Sequence, residues 1–168
     1  MLPTSLPAPR LIDPASVTPL RWGLIGPGGI AEAFVDSVQK HTTQRFVAVA
    51  SQTPGKAEAF ATPRGIPHAL TSYDALVNHP EVDVVYVATT HQFHKAHALL
   101  AIAAGKHVLV EKPLATNPTD AQEIADAAKA AGVLAMEAMW TRYIPQSDVM
   151  RQIFADGILG DISFVLSD

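Results

Sequence analysis

Residues Leu20-Arg21-Trp22-Gly23-Leu24-Ile25-Gly26-Pro27-Gly28-Gly29-Ile30-Ala31 decide the fold. A short apolar run ends at Ile25, meets a glycine cluster, and passes at once into an amphipathic segment. Gly26, Gly28 and Ala31 match the G-x-G-x-x-G/A spacing of a dinucleotide-binding turn. Gly26 allows the tight turn, Gly28 lets the backbone approach a pyrophosphate, and small Ala31 lets helix pack on strand. The N–H groups that open the helix then face an anionic ligand.

Working outward, strands and helices alternate. Arg21–Ile25 reads as the first strand and about 29–41 as its helix, with Ile30, Phe34 and Val38 as the buried stripe. A strand over Arg45–Ala50 and a helix over about 55–61 follow. Thr71 with Asp74 reads as a capping box for a short helix ending near Asn78. Val82–Ala88 is nearly continuous in apolar residues, as a strand covered on both faces is. The helix over about 93–104 is expected to bury Ala96, Leu99, Leu100 and Ala103, with Gly105 ending it. His107–Glu111 is the next strand. Asn117 caps a helix with Pro118 at its first position and Ala121, Ile124, Ala125 and Ala128 as its stripe, and Gly132 closes it. Leu134–Ala138 is one more strand. The pattern predicts an α/β fold, a Rossmann doubly wound parallel sheet with its ligand crevice at the C-terminal ends of the strands.

The chain has 168 residues, 48% hydrophobic and 17% charged, which suits a folded domain of one ordinary size. A net charge of −4 offers nucleic acid no long-range attraction. No apolar run approaches the roughly 18 residues of a membrane span, so no membrane partner is expected. Cysteine is absent, which excludes disulfides and thiolate metal sites. A cytoplasmic setting fits. Five prolines between Pro3 and Pro19 make residues 1–19 an extended arm, a tail or a strap on a partner subunit, and the segment lacks the charge pattern of a secretory signal.

The fold says where chemistry belongs: just after each strand. After the second strand stand Ser51, Gln52 and Thr53, where NAD enzymes place an Asp or Glu for the ribose 2′-hydroxyl. Without that carboxylate a 2′-phosphate meets no repulsion, three residues can donate to it, and Lys56 follows one turn on. NADP is therefore expected, with NAD as the alternative. After Val82–Ala88 come Thr89, Thr90, His91, Gln92, Phe93 and His94. His91 or His94 is expected in the crevice and His97 on the helix surface. Three-residue steps splay the outer histidines by roughly 120°, so no metal site is expected. After His107–Glu111 come Lys112 and Pro113. A lysine at the tip of a buried strand is poorly hydrated, which suits it to proton transfer, and a cis bond to Pro113 would aim its side chain. The alternative is a surface lysine paired with Glu111.

Gly26-Pro27-Gly28-Gly29-Ile30-Ala31, the stretch from Ala104 to Ala115 with Glu111-Lys112-Pro113, and Met136-Glu137-Ala138-Met139-Trp140-Thr141-Arg142-Tyr143 together resemble the Gfo/Idh/MocA oxidoreductases. Within that family the last stretch is similar to the branch of dimeric dihydrodiol and NADP-dependent xylose dehydrogenases. The likeness covers residues 20–168. It implies a Rossmann domain over 20–140, and over 141–168 a linker helix (144–155) and first strand (Ile162–Val165) of a second α/β domain, whose open sheet serves homo-oligomers. It implies hydride transfer between nicotinamide and a sugar, polyol or diol hydroxyl, with Lys112 handling the hydroxyl proton and Glu111 beside the nicotinamide ribose. Gly26, Gly28, Gly29 and Ile30 would hold the pyrophosphate, Ser51 and Gln52 the adenosine ribose, and Thr89, His91 and His94 the crevice side. Trp140 and Arg142 would line the nicotinamide and substrate end. The chain departs from many relatives in carrying Thr90 for Pro and Gln52 for Arg. The family's second catalytic pair, an Asp and a His, lies in the substrate domain, so this chain alone is expected to turn over weakly. A non-catalytic dinucleotide sensor, or an inactive fragment, is the competing reading.

Overall fold

The computed structural model describes residues 5–166. Pro14–Ala138 forms one compact unit, and the residues before it group with those from Met139 onward as a second.

In the larger unit six parallel strands lie in the order β3-β2-β1-β4-β5-β6: β1 Arg21–Ile25, β2 Arg45–Ala50, β3 His68–Leu70, β4 Val84–Val87, β5 His107–Val110 and β6 Ala135–Glu137. The helices are α1 Gly29–His41, α2 Lys56–Ala61, α3 Tyr73–Val77, α4 His94–Ala103 and α5 Pro118–Ala131. Alternation along each strand sends neighbouring side chains to opposite faces. Ile25, Ala48, Ala50, Val85, Val87, Val108 and Val110 pack with Leu76, Ala98, Ala101, Ile102 and Ile124 of α3, α4 and α5. Leu24, Val49, Tyr86 and Leu109 pack on the other face with Ala31, Val35, Ala57 and Phe60 of α1 and α2. Two separate cores, one per face, are what a doubly wound sheet requires.

Several local details differ from what the sequence pattern predicts. In α1 the buried residues are Ala31 and Val35, with Phe34 and Val38 partly covered, while Ile30 is exposed at the helix mouth. The cap of α3 is Ser72, whose hydroxyl accepts from the Ala75 N–H at 3.2 Å, and not Thr71. β3 has no counterpart in the sequence pattern. α4 buries His94, Ala98, Ala101 and Ile102, leaving Ala96 and Ala103 exposed. The Asn117 cap stands as expected, its side chain accepting from Asp120 N–H at 2.9 Å, with Pro118 next and Gly132 left-handed at the end. Residues 14–19, read as arm, lie in the larger unit, where Gln44 accepts from Leu20 N–H and donates to the Thr18 carbonyl.

In the smaller unit α6 runs Pro145–Ala155. The arm lies on it: Arg10 grips Asp148 through its backbone N–H (2.7 Å) and guanidinium (2.8 Å), and Gln152 donates to the Ala8 carbonyl at 2.9 Å. Residues 162–165 form no strand; a strand needs a ladder partner, and they have none among the described residues. No helix among the described residues is long and apolar enough to cross a membrane.

Candidate functional site

Strand order fixes the site. The chain moves outward from β1 through β2 to β3, then returns to place β4 on β1's other side, so the strand order reverses between β1 and β4. Crevices open at such reversals, outside the C-terminal strand ends. Ile25 stands opposite Val87, and Val87 opposite Val110, so the segments after β1, β4 and β5 leave the sheet at one rim.

Gly26 makes the turn after β1 at φ 89°. A Cβ there would stand 2.7 Å from Thr89 Cγ2 and 2.9 Å from Thr89 N, so only glycine lets the turn lie against the β4 tip. Gly28 and Gly29 differ in kind. A Cβ on either meets nothing within 4 Å, because that side of the turn faces open space. Gly28 precedes α1 in extended backbone and gives no side-chain cap, leaving the first N–H groups of a 13-residue helix free for a ligand. A phosphate fits that cradle, by charge and by hydrogen-bonding sense. Exposed Ile30 sits beside it.

A cleft of about 340 Å³, within the small-molecule range, is lined by Gly26, Gly28, Ser51, Gln52, Lys56 and Thr89 among others. Ser51 is nearly buried, its Oγ accepting from Thr53 N–H at 3.1 Å, which folds the segment after β2 into a tight turn. Gln52, Thr53 and Lys56 stay exposed at its mouth, and no carboxylate among the described residues lines it. Tyr73 and His97 also line it, and neither was singled out from sequence for this role. His97, expected on the helix surface, is half-buried: its Nδ1 meets Thr89 Oγ1 at 3.0 Å and its ring lies edge-on to Tyr73 at 4.7 Å. Burial, and then the neighbouring His94, hold the His97 imidazole below its usual range. The spacing signal was present, since His97 lies one turn beyond Phe93, which shares the lining.

His94 presents no surface at all. Its ring bridges two strand tips, with Nε2 at 2.9 Å from the Thr89 carbonyl and Nδ1 at 2.7 Å from the Pro113 carbonyl. It acts on the crevice through backbone rather than by lining it. His91 is exposed in the single 3-10 turn before α4.

After β5, Glu111 is buried and turned inward. Its Oε1 accepts from the Tyr86 hydroxyl at 2.7 Å, and its Oε2 from the Lys112 N–H at 3.1 Å. Burial first, then that carboxylate, push the Tyr86 phenol far above its usual range. No Glu111–Lys112 ion pair forms among the described residues. The Lys112–Pro113 bond is cis, and the Lys112 side chain is exposed at the rim. The dehydration expected of it is therefore not supplied by the strand tip: β5 ends at Val110, and the chain has already left the sheet. Glu137 accepts from Leu114 N–H at 2.8 Å and fixes the loop that follows. Trp140 and Arg142 belong to the smaller unit, in a single 3-10 turn, and both are exposed.

The sequence matches the oxidoreductase family with an NAD-binding Rossmann fold over residues 20–139. It is 41% identical over 145 residues to trans-1,2-dihydrobenzene-1,2-diol dehydrogenase of Macaca fuscata fuscata, covering 85% of this chain and 43% of the relative. The fold superposes on an NAD-binding oxidoreductase from Klebsiella pneumoniae with a TM-score of 0.79 at 38% identity, over 85% of this chain and 40% of that one. It also superposes on levoglucosan dehydrogenase in complex with NADH and levoglucosan, at TM-score 0.78 and 25% identity, over 86% and 41%. The chain thus spans less than half the length of the relatives it matches. A glycine turn, a carboxylate-free second tip and a Glu-Lys-Pro third tip on one rim agree with that match, and the chain belongs to the Gfo/Idh/MocA oxidoreductases.

Proposed function

We propose that this chain is the dinucleotide-binding half of a cytoplasmic, NADP-linked oxidoreductase acting on a hydroxyl of a sugar, polyol or diol. The observation that carries the reading is the shared rim, where Gly26–Gly29, Thr89 and Lys112 leave three adjacent parallel strands at the same end. The free N–H groups of α1 hold the pyrophosphate, with Ile30 against its flank. Gln52, Thr53 and Lys56 hold the adenosine ribose and its 2′-phosphate, since no carboxylate among the described residues lines the cleft to repel that charge. Bound nicotinamide supplies the hydride acceptor or donor. The Lys112 amine takes the hydroxyl proton during oxidation and returns it during reduction. Because Lys112 is exposed here, substrate and the substrate-binding part of the protein must exclude water from it. Glu111 holds the Lys112 backbone through its Oε2.

The relative named for a diol and the neighbour holding levoglucosan support the substrate class. That neighbour's NADH makes NAD the competing cofactor. Alone, this chain binds dinucleotide and turns over weakly, for want of substrate positioning; the longer form assembles as a homo-oligomer. Fluorescence titration of the chain with NADPH and NADH tests the cofactor, and tighter NADPH binding is expected. Equal or tighter NADH binding overturns the role given to Gln52, Thr53 and Lys56. In a longer form that oxidises sugars, Lys112→Ala is expected to abolish turnover while leaving NADPH affinity unchanged. An unaltered rate removes the lysine from the chemistry.

A further inference from the structure

We infer that the opposite end of the sheet carries a binding site for one divalent transition-metal ion, built from His68, His79 and Glu81. His68 opens the edge strand β3, at the end of it remote from Leu70, whose carbonyl accepts from the Ser51 N–H in the turn of the cofactor cleft. His79 and Glu81 stand in the turn that joins α3 to β4. One ring nitrogen of each histidine and one Glu81 oxygen lie within 4.8 Å of one another. His68 Nε2 is 3.0 Å from Glu81 Oε2, and the two imidazole rings lie 4.4 Å apart. Zinc bonds of about 2.0–2.2 Å at the tetrahedral angle set donor atoms about 3.3–3.6 Å apart, so His68 Nε2 and Glu81 Oε2 must part slightly and the donors further apart, none beyond 4.8 Å, must close in by side-chain rotation.

Two features separate this cluster from an ordinary exposed ion pair, which contributes little. A His68–Glu81 pair needs one imidazole, yet a second lies against it within the same shell. The turn is also braced. Val82 N–H closes it onto the His79 carbonyl at 3.1 Å, and Lys106 Nζ donates to the His79 and Val82 carbonyls at 3.3 and 2.7 Å; the long Glu81 N–H contact to His79 Nδ1, 3.3 Å, is given up when the imidazole takes the metal. Pro80 fixes φ between the two donors. Two neutral imidazoles and a carboxylate suit zinc, nickel or copper rather than magnesium or calcium, and leave a fourth position for water. The ion would tie the edge strand to the α3–β4 turn, away from the chemistry at the other rim.

The test is titration of the full untagged chain with Zn²⁺ by calorimetry at neutral pH, with Co²⁺ visible absorption as a second probe. One ion per chain at micromolar affinity is expected, with His68→Ala and His79→Ala each weakening it by about tenfold or more. His107→Ala should change nothing. Histidine-ring NMR of the unaltered chain guards against a variant that fails to fold: Zn²⁺ should perturb two rings, and Glu81→Gln should diminish that response. Absence of one-to-one binding, or binding indifferent to His68 and His79, overturns the site.

Discussion

Tyr86 carries a hydroxyl into the middle of the sheet, and its only described partner is the Glu111 carboxylate at 2.7 Å. The ring is held by Phe34 at 4.5 Å, within the aromatic group of Trp22, Phe34 and Phe46. Removing the hydroxyl leaves a buried carboxylate oxygen without its donor, which costs about 1–3 kcal/mol. Tyr86→Phe should therefore lower stability in urea by that amount, and should lower NADPH affinity less than it lowers turnover of a longer form, since Glu111 braces Lys112 and not the glycine turn. His97 sets a pH dependence. Its imidazole is held below the usual value of about 6.5, so the unfolded chain binds its proton first as the medium acidifies. The stability due to neutral His97 is complete above about pH 6.5 and is lost as pH falls through the lowered folded value. Melting midpoints followed from pH 7.5 to 5 should decline more steeply for the native chain than for His97→Gln; parallel curves would refute this.

The arm and α6 show the same logic between segments. Asp148 accepts from the Arg10 backbone and guanidinium, and these bonds hold its carboxyl below the usual carboxylate range. Asp148→Ala should release the arm, and trypsin should then cut after Arg10 several-fold faster in a time course read by mass spectrometry. An unchanged rate would mean that Ala8–Gln152 alone secures it. The elements easiest to read from sequence were those with chemical punctuation: the glycine turn, Asn117-Pro118, and Gly132. Elements without such punctuation leave no clear signal in the sequence, for physical reasons. β3 is three residues long, half-buried and paired on one side only, so it has no continuous apolar run. α4 is rich in alanine on every side, and a stripe drawn through Ala96 and Ala103 looks as apolar as the true one through Ala98 and Ala101. The buried strand before Lys112 predicts its burial, but exposure depends on where the chain leaves the sheet, here at Val110. His94 and His97 were visible as a three-step pattern; which of them faces the cleft is decided by packing against Thr89 and Tyr73, and no spacing encodes that.

At the scale of the whole molecule, binding at the strand tips is linked to the stability of the entire sheet, because only the folded chain assembles the rim. NADPH at about a hundred times its dissociation constant should add about 2.7 kcal/mol. For a domain of this size that is roughly 8 °C in melting midpoint. Gly28 and Gly26 separate binding from folding. Gly28 is extended, at φ −147°, and a Cβ there meets nothing within 4 Å, so Gly28→Val should leave the ligand-free midpoint almost unchanged. Its branched side chain would occupy the space beside the free N–H groups of α1, and the NADPH shift should vanish. Gly26→Ala does the reverse: at φ 89° with Thr89 at 2.7 Å it strains the junction of β1 and β4 and lowers the midpoint without any ligand present. Thermal melts of both variants with and without NADPH read this directly. A Gly28→Val chain that keeps its full shift would move the dinucleotide off the α1 terminus, and the rim would lose its assigned ligand while the fold stood.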